Sequence, residues 1–298
     1  MIQNSPIKGY IYAALSSSTF GLAPFFTLSL LATGFSSFEV LTYRWGIASL
    51  ALAVFGLMLK EPFRISPQDW GTVFLLSLLR AATSFSLVIA YQYIASGVAS
   101  TIHFMYPLAV AVAMMCVFGE RKSFTVLFAV SISLIGAGLL SSGEINSGGE
   151  NRITGMIAAI SSVFFYGGYI IGIRKSRAAH IPSTALTCYV MALGALFFII
   201  GGMFTGGIRL VTDGYTWLNI LGLALPATAI SNITLVKAIK HIGPTLTSIF
   251  GALEPLTAVA IGYSIFHEKF TLAGAIGIAL ILAAVTVVVV MYEKKAHD

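Results

Sequence analysis

Charged side chains are rare in this chain, and the few that interrupt its apolar stretches are the groups able to do chemistry. Arg80 is the most specific of them. It stands about ten residues into the stretch 71–93, roughly 15 Å deep at the rise of an α-helix, too deep for its stem to reach an interface with ease. Arg80, Ser84, Leu87 and Tyr91 fall at helical spacing and share one face. A guanidinium held there offers a fork of donors suited to a carboxylate or phosphate; its other reading is a static partner for a buried acid. Glu254 is the only acidic residue deep within an apolar stretch. At a bilayer centre a charge costs about 2.5–3.5 kcal/mol even on the lenient insertion scale, so Glu254 needs a partner, a wet cavity or a proton. It is read either as a proton carrier or as half of a static pair.

Further candidates surround these two. Arg44 and Lys237 stand near the ends of their stretches, where each either snorkels or joins a cavity. His103 lies one turn before Pro107; a lone histidine in a membrane shuttles protons or bonds to a neighbouring helix. Trp45, Tyr91, Phe104 and Tyr106 supply apolar walls, several with polar tips. Pro107 and Pro255 sit mid-stretch, where each frees a carbonyl and kinks a helix. They are read as hinges facing a site, or as kinks whose freed carbonyl finds a nearby hydroxyl. Glu120 and Glu268 close their stretches beside Arg121, Lys122 and Lys269, as interfacial salt bridges and gate closure require. The deep cations outnumber the deep anion, which favours a ligand with a carboxylate or phosphate over a lipophilic cation.

The elements that must position these groups are membrane helices. Hydrophobic residues make up 57% of the chain and charged residues 9%, with a mean hydropathy of +0.92; a soluble domain carries about 25% charged residues. Ten apolar stretches are long enough to cross a bilayer or nearly so: 9–32, 38–59, 71–93, 97–118, 124–141, 154–173, 183–205, 215–238, 244–266 and 271–292. With a cytoplasmic N-terminus, the inner loops and tails hold 11 Lys or Arg residues and the outer loops only Arg152, Arg209 and Lys269. That obeys the positive-inside rule and places both termini in the cytoplasm. The net charge of +6 is then a matter of topology, and no nucleic-acid partner is expected. Cys116 and Cys188 lack metal-ligand spacing and read as small apolar fillers.

The ten stretches form two groups of five. Ala90–Ser123 aligns with Ala238–Thr271 at a constant offset of 148, superposing Ser100 on Ser248, Pro107 on Pro255 and Glu120 on Glu268. Arg80 and Ser84 fall on Thr228 and Asn232, so both third helices present a polar pair. The first helices align at an offset of 146, Gly9 on Gly155 and Ser16 on Ser162. Because five is odd, the second group starts on the opposite side of the bilayer, and the halves are expected to be inverted copies. The polar run at 141–151 (SSGEINSGGEN) is linker chemistry. The expected fold is an all-α integral membrane protein of ten transmembrane helices, repeat 1–141, linker 142–153 and repeat 154–298.

HFMYPLAVAVAMMCVFGE (103–120) and GALEPLTAVAIGYSIFHE (251–268) resemble the paired signature of the EamA-type branch of the drug/metabolite transporter superfamily. Arg44 in TYRW (42–45) is similar to the arginine near the start of that family's second helix. The resemblance covers the whole chain. It implies an alternating-access carrier, more often an exporter, of amino acids or other metabolites, in a bacterial-type inner membrane. The partners implied are a small solute, the lipid bilayer and, through Glu254 or His103, a coupling proton. An exporter of lipophilic or cationic drugs is the alternative, and a channel a weaker one. No HExxH, no GxSxG and no acidic cluster stands in the chain, so neither an enzyme nor a cofactor or metal is expected.

Overall fold

A computed structural model describes residues 6–94, 96–120, 123–140, 152–254, 256–257 and 272–297. Among them the regular elements are all helical. In chain order these are α1 (Pro6–Phe20), α2 (Ala23–Ala32), α3 (Ser37–Met58), α4 (Trp70–Tyr93), α5 (Ser96–His103), α6 (Tyr106–Cys116), α7 (Phe124–Leu140), α8 (Arg152–Lys175), α9 (Ser183–Phe204), α10 (Gly214–Ala224), α11 (Ser231–Phe250) and α12 (Leu272–His297). Among the described residues six segments are long and apolar enough to cross a membrane: Pro6–Ala32, Ser37–Met58, Pro67–Tyr93, Arg152–Lys175, Ser183–Phe204 and Gly214–Phe250. The chain is a multi-pass membrane protein.

Local chemistry explains where these helices start. Ser36 and Glu39 form a reciprocal capping box at α3: the Glu39 N–H donates to Ser36 Oγ (3.2 Å) and the Ser36 N–H to Glu39 Oε2 (2.8 Å). Asp213 caps α10 by accepting from the Thr216 N–H at 2.8 Å, and that bond holds its carboxyl below the usual range.

The breaks matter more than the starts. The stretch 9–32 is interrupted at Gly21–Leu22, just before Pro24. The stretch 97–118 is interrupted at Phe104–Met105, so Pro107 is the second residue of α6 rather than a kink within one helix. There its missing N–H is one that the first turn leaves unpaired anyway. Between α10 and α11 the backbone widens into a π-helical turn, Leu225–Ile230, which contains Pro226. Gly243 takes φ 84° just before Pro244 and divides α11, so the boundary expected near 238 falls a few residues later. A further turn at residues 251–252 follows α11 at the level, by the offset of 148, of the break at Phe104. Pro255, Glu268 and most of the linker lie outside the described residues.

Packing is reciprocal between the two parts of the chain. The first helix, α1, docks on α11, and α8 docks on α4; α3 lies against α9 and α7 against α12. Two glycines permit the first pair of contacts. A Cβ on Gly9 would collide with Ile242 and stand 2.9 Å from His241 Cβ. A Cβ on Gly155 would stand 2.9 Å from Ile94 Cγ2 and 3.0 Å from Tyr93 Cβ. The offsets read from the sequence carry Gly9 to Gly155 and Ile94 to Ile242, so one contact is the counterpart of the other. Gly46, on α3, has open space where a Cβ would go.

Alanine at a free helical glycine gains about 1 kcal/mol of propensity, whereas overpacking costs about 1–3 kcal/mol. Gly9→Ala and Gly155→Ala are therefore expected to lower the melting temperature in detergent, while Gly46→Ala leaves it unchanged or raises it. Equal behaviour of all three would mean that the α1–α11 and α4–α8 contacts are not close.

Candidate functional site

Arg80 is buried where α4, α8, α3 and α11 meet. Its Nε donates to Asn232 Oδ1 at 2.9 Å and its Nη1 to Ser84 Oγ at 3.1 Å. Four aromatic rings surround the guanidinium: Tyr166 at 5.2 Å, Phe20 at 5.4 Å, and Trp45 and Tyr169 each at 5.9 Å from Cζ to ring centroid. Their faces replace part of the hydration the charge gives up. Asn232 is held in turn, its Nδ2 donating to Thr228 O (2.8 Å) and Ser231 Oγ (3.2 Å).

Arg44 occupies the other end of this network. It does not snorkel: it is 4% exposed, and its Nε donates to Thr228 Oγ1 at 2.7 Å. Thr228 sits in the π-helical turn and its hydroxyl donates to Leu223 O at 2.7 Å, so its oxygen is free to accept from Arg44. Arg44 also lies over the Phe20 ring, at 5.6 Å, so both guanidiniums use one phenyl group. Its Nη2 is buried with no hydrogen-bond partner among the described residues, as is Trp45 Nε1. Of the polar pairs read on the two third helices, Arg80 and Asn232 meet across the molecule, whereas Thr228 meets Arg44 of α3 instead.

Glu254 is buried, its carboxyl hydrogen-bonded to the Tyr106 hydroxyl. The chain closes tightly here, since a Cβ on Gly251 would strike that hydroxyl and one on Gly21 would stand 2.6 Å from Glu254 O. Arg80 and Glu254 make no direct ion pair. Among the described residues the direct ion pairs are Arg177–Asp69 and Arg209–Glu39, both nearer the ends of the molecule.

His103, the last residue of α5, places Nδ1 2.8 Å from Ser162 Oγ. Ser162 donates its only proton to Ala159 O at 2.6 Å, so the histidine Nδ1 carries the hydrogen and Nε2 keeps a lone pair. That Nε2 is buried with no partner among the described residues. The imidazole packs 5.2 Å from both Tyr106 and Tyr166, so Tyr166 is the wall between His103 and Arg80. Phe104 is buried at the α5–α6 break beside it.

Three further candidates lie around this cluster. Tyr91 is half-buried on the Arg80 stripe and bonds to Ser100 of α5. Lys237 lies with its Nζ 5.7 Å from the Tyr12 ring, away from the arginines. Glu120, beyond α6, accepts from Thr245 Oγ1 at 2.6 Å and so ties the two parts of the chain together; Arg121 and Lys122 beside it lie outside the described residues. Phe20, Tyr166 and Tyr169 are the site residues that the sequence reading missed. Tyr166 and Tyr169 are one helical turn apart in FFYGGY (164–169), a spacing that marks one face of α8.

The same two-part organisation appears in comparison with known proteins. The model of the EamA-like transporter family matches residues 7–142 and again 153–290. The chain belongs to the EamA-like transporter family. An uncharacterized transporter of Archaeoglobus fulgidus is 27% identical over 78% of this chain and 82% of its own length. The uncharacterized transporter YetK of Bacillus subtilis is 22% identical over 86% of this chain and 78% of its own. A solved crystal structure at 17% identity covers 96% of this chain and 97% of its own with a TM-score of 0.79, and so shares the fold. This EamA-like protein is a membrane transporter.

Removing the Asn232 carbonyl leaves a buried guanidinium short of an acceptor, which costs about 1–3 kcal/mol. Asn232→Leu is expected to lower the melting temperature accordingly, and Arg80→Met combined with it to recover part of the loss. A double variant whose loss equals the sum of the single ones would mean that the two side chains do not interact.

Proposed function

We propose that this EamA-like protein is an alternating-access secondary transporter that exports a small carboxylate-bearing metabolite, such as an amino acid or organic acid. The observation that carries this reading is the pair of buried guanidiniums, Arg44 and Arg80, on one side of a cluster whose nearest acid, Glu254, pairs directly with neither. Arg44 Nη2 and Trp45 Nε1 are donors without an acceptor among the described residues. An incoming carboxylate satisfies them and offsets the mutual repulsion of the two cations. The unpaired His103 Nε2 and the Glu254 carboxyl are acceptors for an ammonium group of the same solute. A lipophilic cation, the alternative cargo, would have to approach two guanidiniums.

The architecture that goes with this reading is ten transmembrane helices in two inverted five-helix repeats, 1–141 and 154–298, joined by 142–153. The reciprocal docking of α1 on α11 and α8 on α4 supports it, as do the helix breaks at equivalent places, where discontinuous helices of transporters bind their solutes. The split of basic residues supports a cytoplasmic α3–α4 loop and cytoplasmic termini, and the family resemblance goes with a bacterial-type inner membrane. Glu254, held by Tyr106, carries the coupling proton.

Proteoliposome uptake of an amino-acid and organic-acid panel tests the reading. One hydrogen bond to a charged group is worth about 1.5–3 kcal/mol, so Arg44→Gln or Arg80→Gln should weaken transport of the favoured solute about 10- to 100-fold. Wild-type transport by both variants would remove the anionic-solute argument. Glu254→Gln is expected to abolish accumulation driven by a pH gradient while sparing solute exchange; unaltered accumulation would exclude Glu254 as the proton carrier.

A further inference from the structure

Two clasps join the halves of the molecule, one at each face, and they repeat each other in design. On the face carrying the α9–α10 loop, the Tyr43 hydroxyl donates to Arg209 O at 2.5 Å, with the Trp217 ring set edge-on to Tyr43 at 6.1 Å. On the opposite face, at the α3–α4 loop, the Tyr189 hydroxyl donates to Phe63 O at 3.0 Å, with the Trp70 ring edge-on to Tyr189 at 5.1 Å. The offset of 146 that relates the first helices of the halves carries Tyr43 to Tyr189 and Phe63 to Arg209. In each clasp a tyrosine on the second helix of one half holds the backbone of the loop that leads into the third helix of the other half. A tryptophan in the first turn or so of that third helix completes the contact.

The surroundings are paired as well. Each loop leaves its helix through a left-handed residue, Lys60 (φ 53°) after α3 and Gly206 (φ 117°) after α9, which the same offset relates. Each face adds an ion pair between the halves: Arg209 with Glu39 at 2.9 Å, and Arg177 with Asp69 at 2.6 Å. The arginine side chains are 45% and 56% exposed, so water readily replaces these partners when they separate. A contact of this kind closes without locking.

The third helices are the ones that matter to the site. Trp70 opens α4, which carries Arg80 and Ser84, and Trp217 lies in α10, which runs through the π-helical turn to Thr228 and Asn232. A clasp therefore fixes the end of a helix whose middle holds the buried arginine network.

We infer that the Tyr43–Arg209–Trp217 and Tyr189–Phe63–Trp70 clasps are the two gates of the transport cycle, each releasing to open the site to its own face. This rests on the alternating-access reading. Both clasps are closed in this structure, and Arg80 and Asn232 are each 1% exposed. Opening toward the α9–α10 face requires Tyr43 to release Arg209; opening toward the α3–α4 face requires Tyr189 to release Phe63.

The test uses the full chain in oriented vesicles, with Cys116 and Cys188 replaced by alanine and Leu87→Cys as a reporter on the Arg80 stripe. A membrane-impermeant maleimide is added to one face at a time. Tyr43→Phe is expected to raise labelling from the α9–α10 face about fivefold and lower it from the other, the shift that loss of one hydrogen bond of ~1 kcal/mol produces. Tyr189→Phe should do the reverse. Glu39→Gln and Asp69→Asn, which leave both tyrosines in place, should act in the same directions as Tyr43→Phe and Tyr189→Phe respectively. Labelling that moves the same way in both tyrosine variants, or that neither changes, including a reporter reached from neither face, overturns the assignment. Flux that never saturates, with the reporter open to both faces at once, would instead remove alternating access and the gates with it.

Discussion

A guanidinium cannot be left bare in the interior of a bilayer, and the arrangement around Arg80 follows from that single constraint. Its charge is satisfied by a carbonyl from the other half of the chain, a hydroxyl one turn away and the faces of four rings. Each of those groups must be held by something else. Asn232 needs Thr228 and Ser231 to fix its amide, and Thr228 needs the π-helical turn to reach Arg44. The approach of the halves is set by glycines that admit no side chain, Gly21 against Glu254 and Gly251 against Tyr106. Remove the charge, and most of this polar scaffolding loses its reason to be buried.

The helix interruptions serve the same end. A continuous α-helix satisfies its own backbone and presents only side chains; a broken one can bring a side chain to a place that regular geometry would not allow. The break at Phe104–Met105 lets His103 and Tyr106 face the same ring, Tyr166. The widened turn at Leu225–Ile230 brings Thr228 under Arg44. Proline stands beside each interruption, at Pro107 and Pro226, because a helix that must stop or widen has no use for that amide hydrogen.

Much of this was legible in the sequence, and the parts that were not have physical reasons. Composition alone sets the class, since no soluble core tolerates so few charges. The offset of 148 matched Arg80 and Ser84 with Thr228 and Asn232, because repeated helices must repeat the side they turn to a shared centre; that Arg80 reaches Asn232 directly is a matter of the structure. Arg44 was harder: its place near one end of α3 fits a snorkelling side chain, and only the π-helical turn, invisible to periodicity, brings it an acceptor. Phe20, Tyr166 and Tyr169 were hidden for another reason. Aromatic residues in a membrane helix look like filler, and their role around a cation depends on ring orientation, which no spacing encodes.

The clasps and the site share one turn of helix. Tyr43, Arg44 and Trp45 are consecutive on α3: the first holds the α9–α10 loop, the second joins the arginine network and the third packs against Arg80. Residues next to one another on a helix point in different directions yet move together. On the proposed reading, a solute that draws Arg44 toward its carboxylate must therefore shift Tyr43, and with it the contact that closes one face. The counterpart turn of α9 has Tyr189 followed by Val190, whose carbonyl accepts from Ser77 of α4 at 2.9 Å. That second clasp is linked to the helix of Arg80 through the backbone, not through a charge. On the same reading the two clasps are gates of one design, and valine at 190 in place of the arginine at 44 gives only one of them a direct hold on the solute's charge.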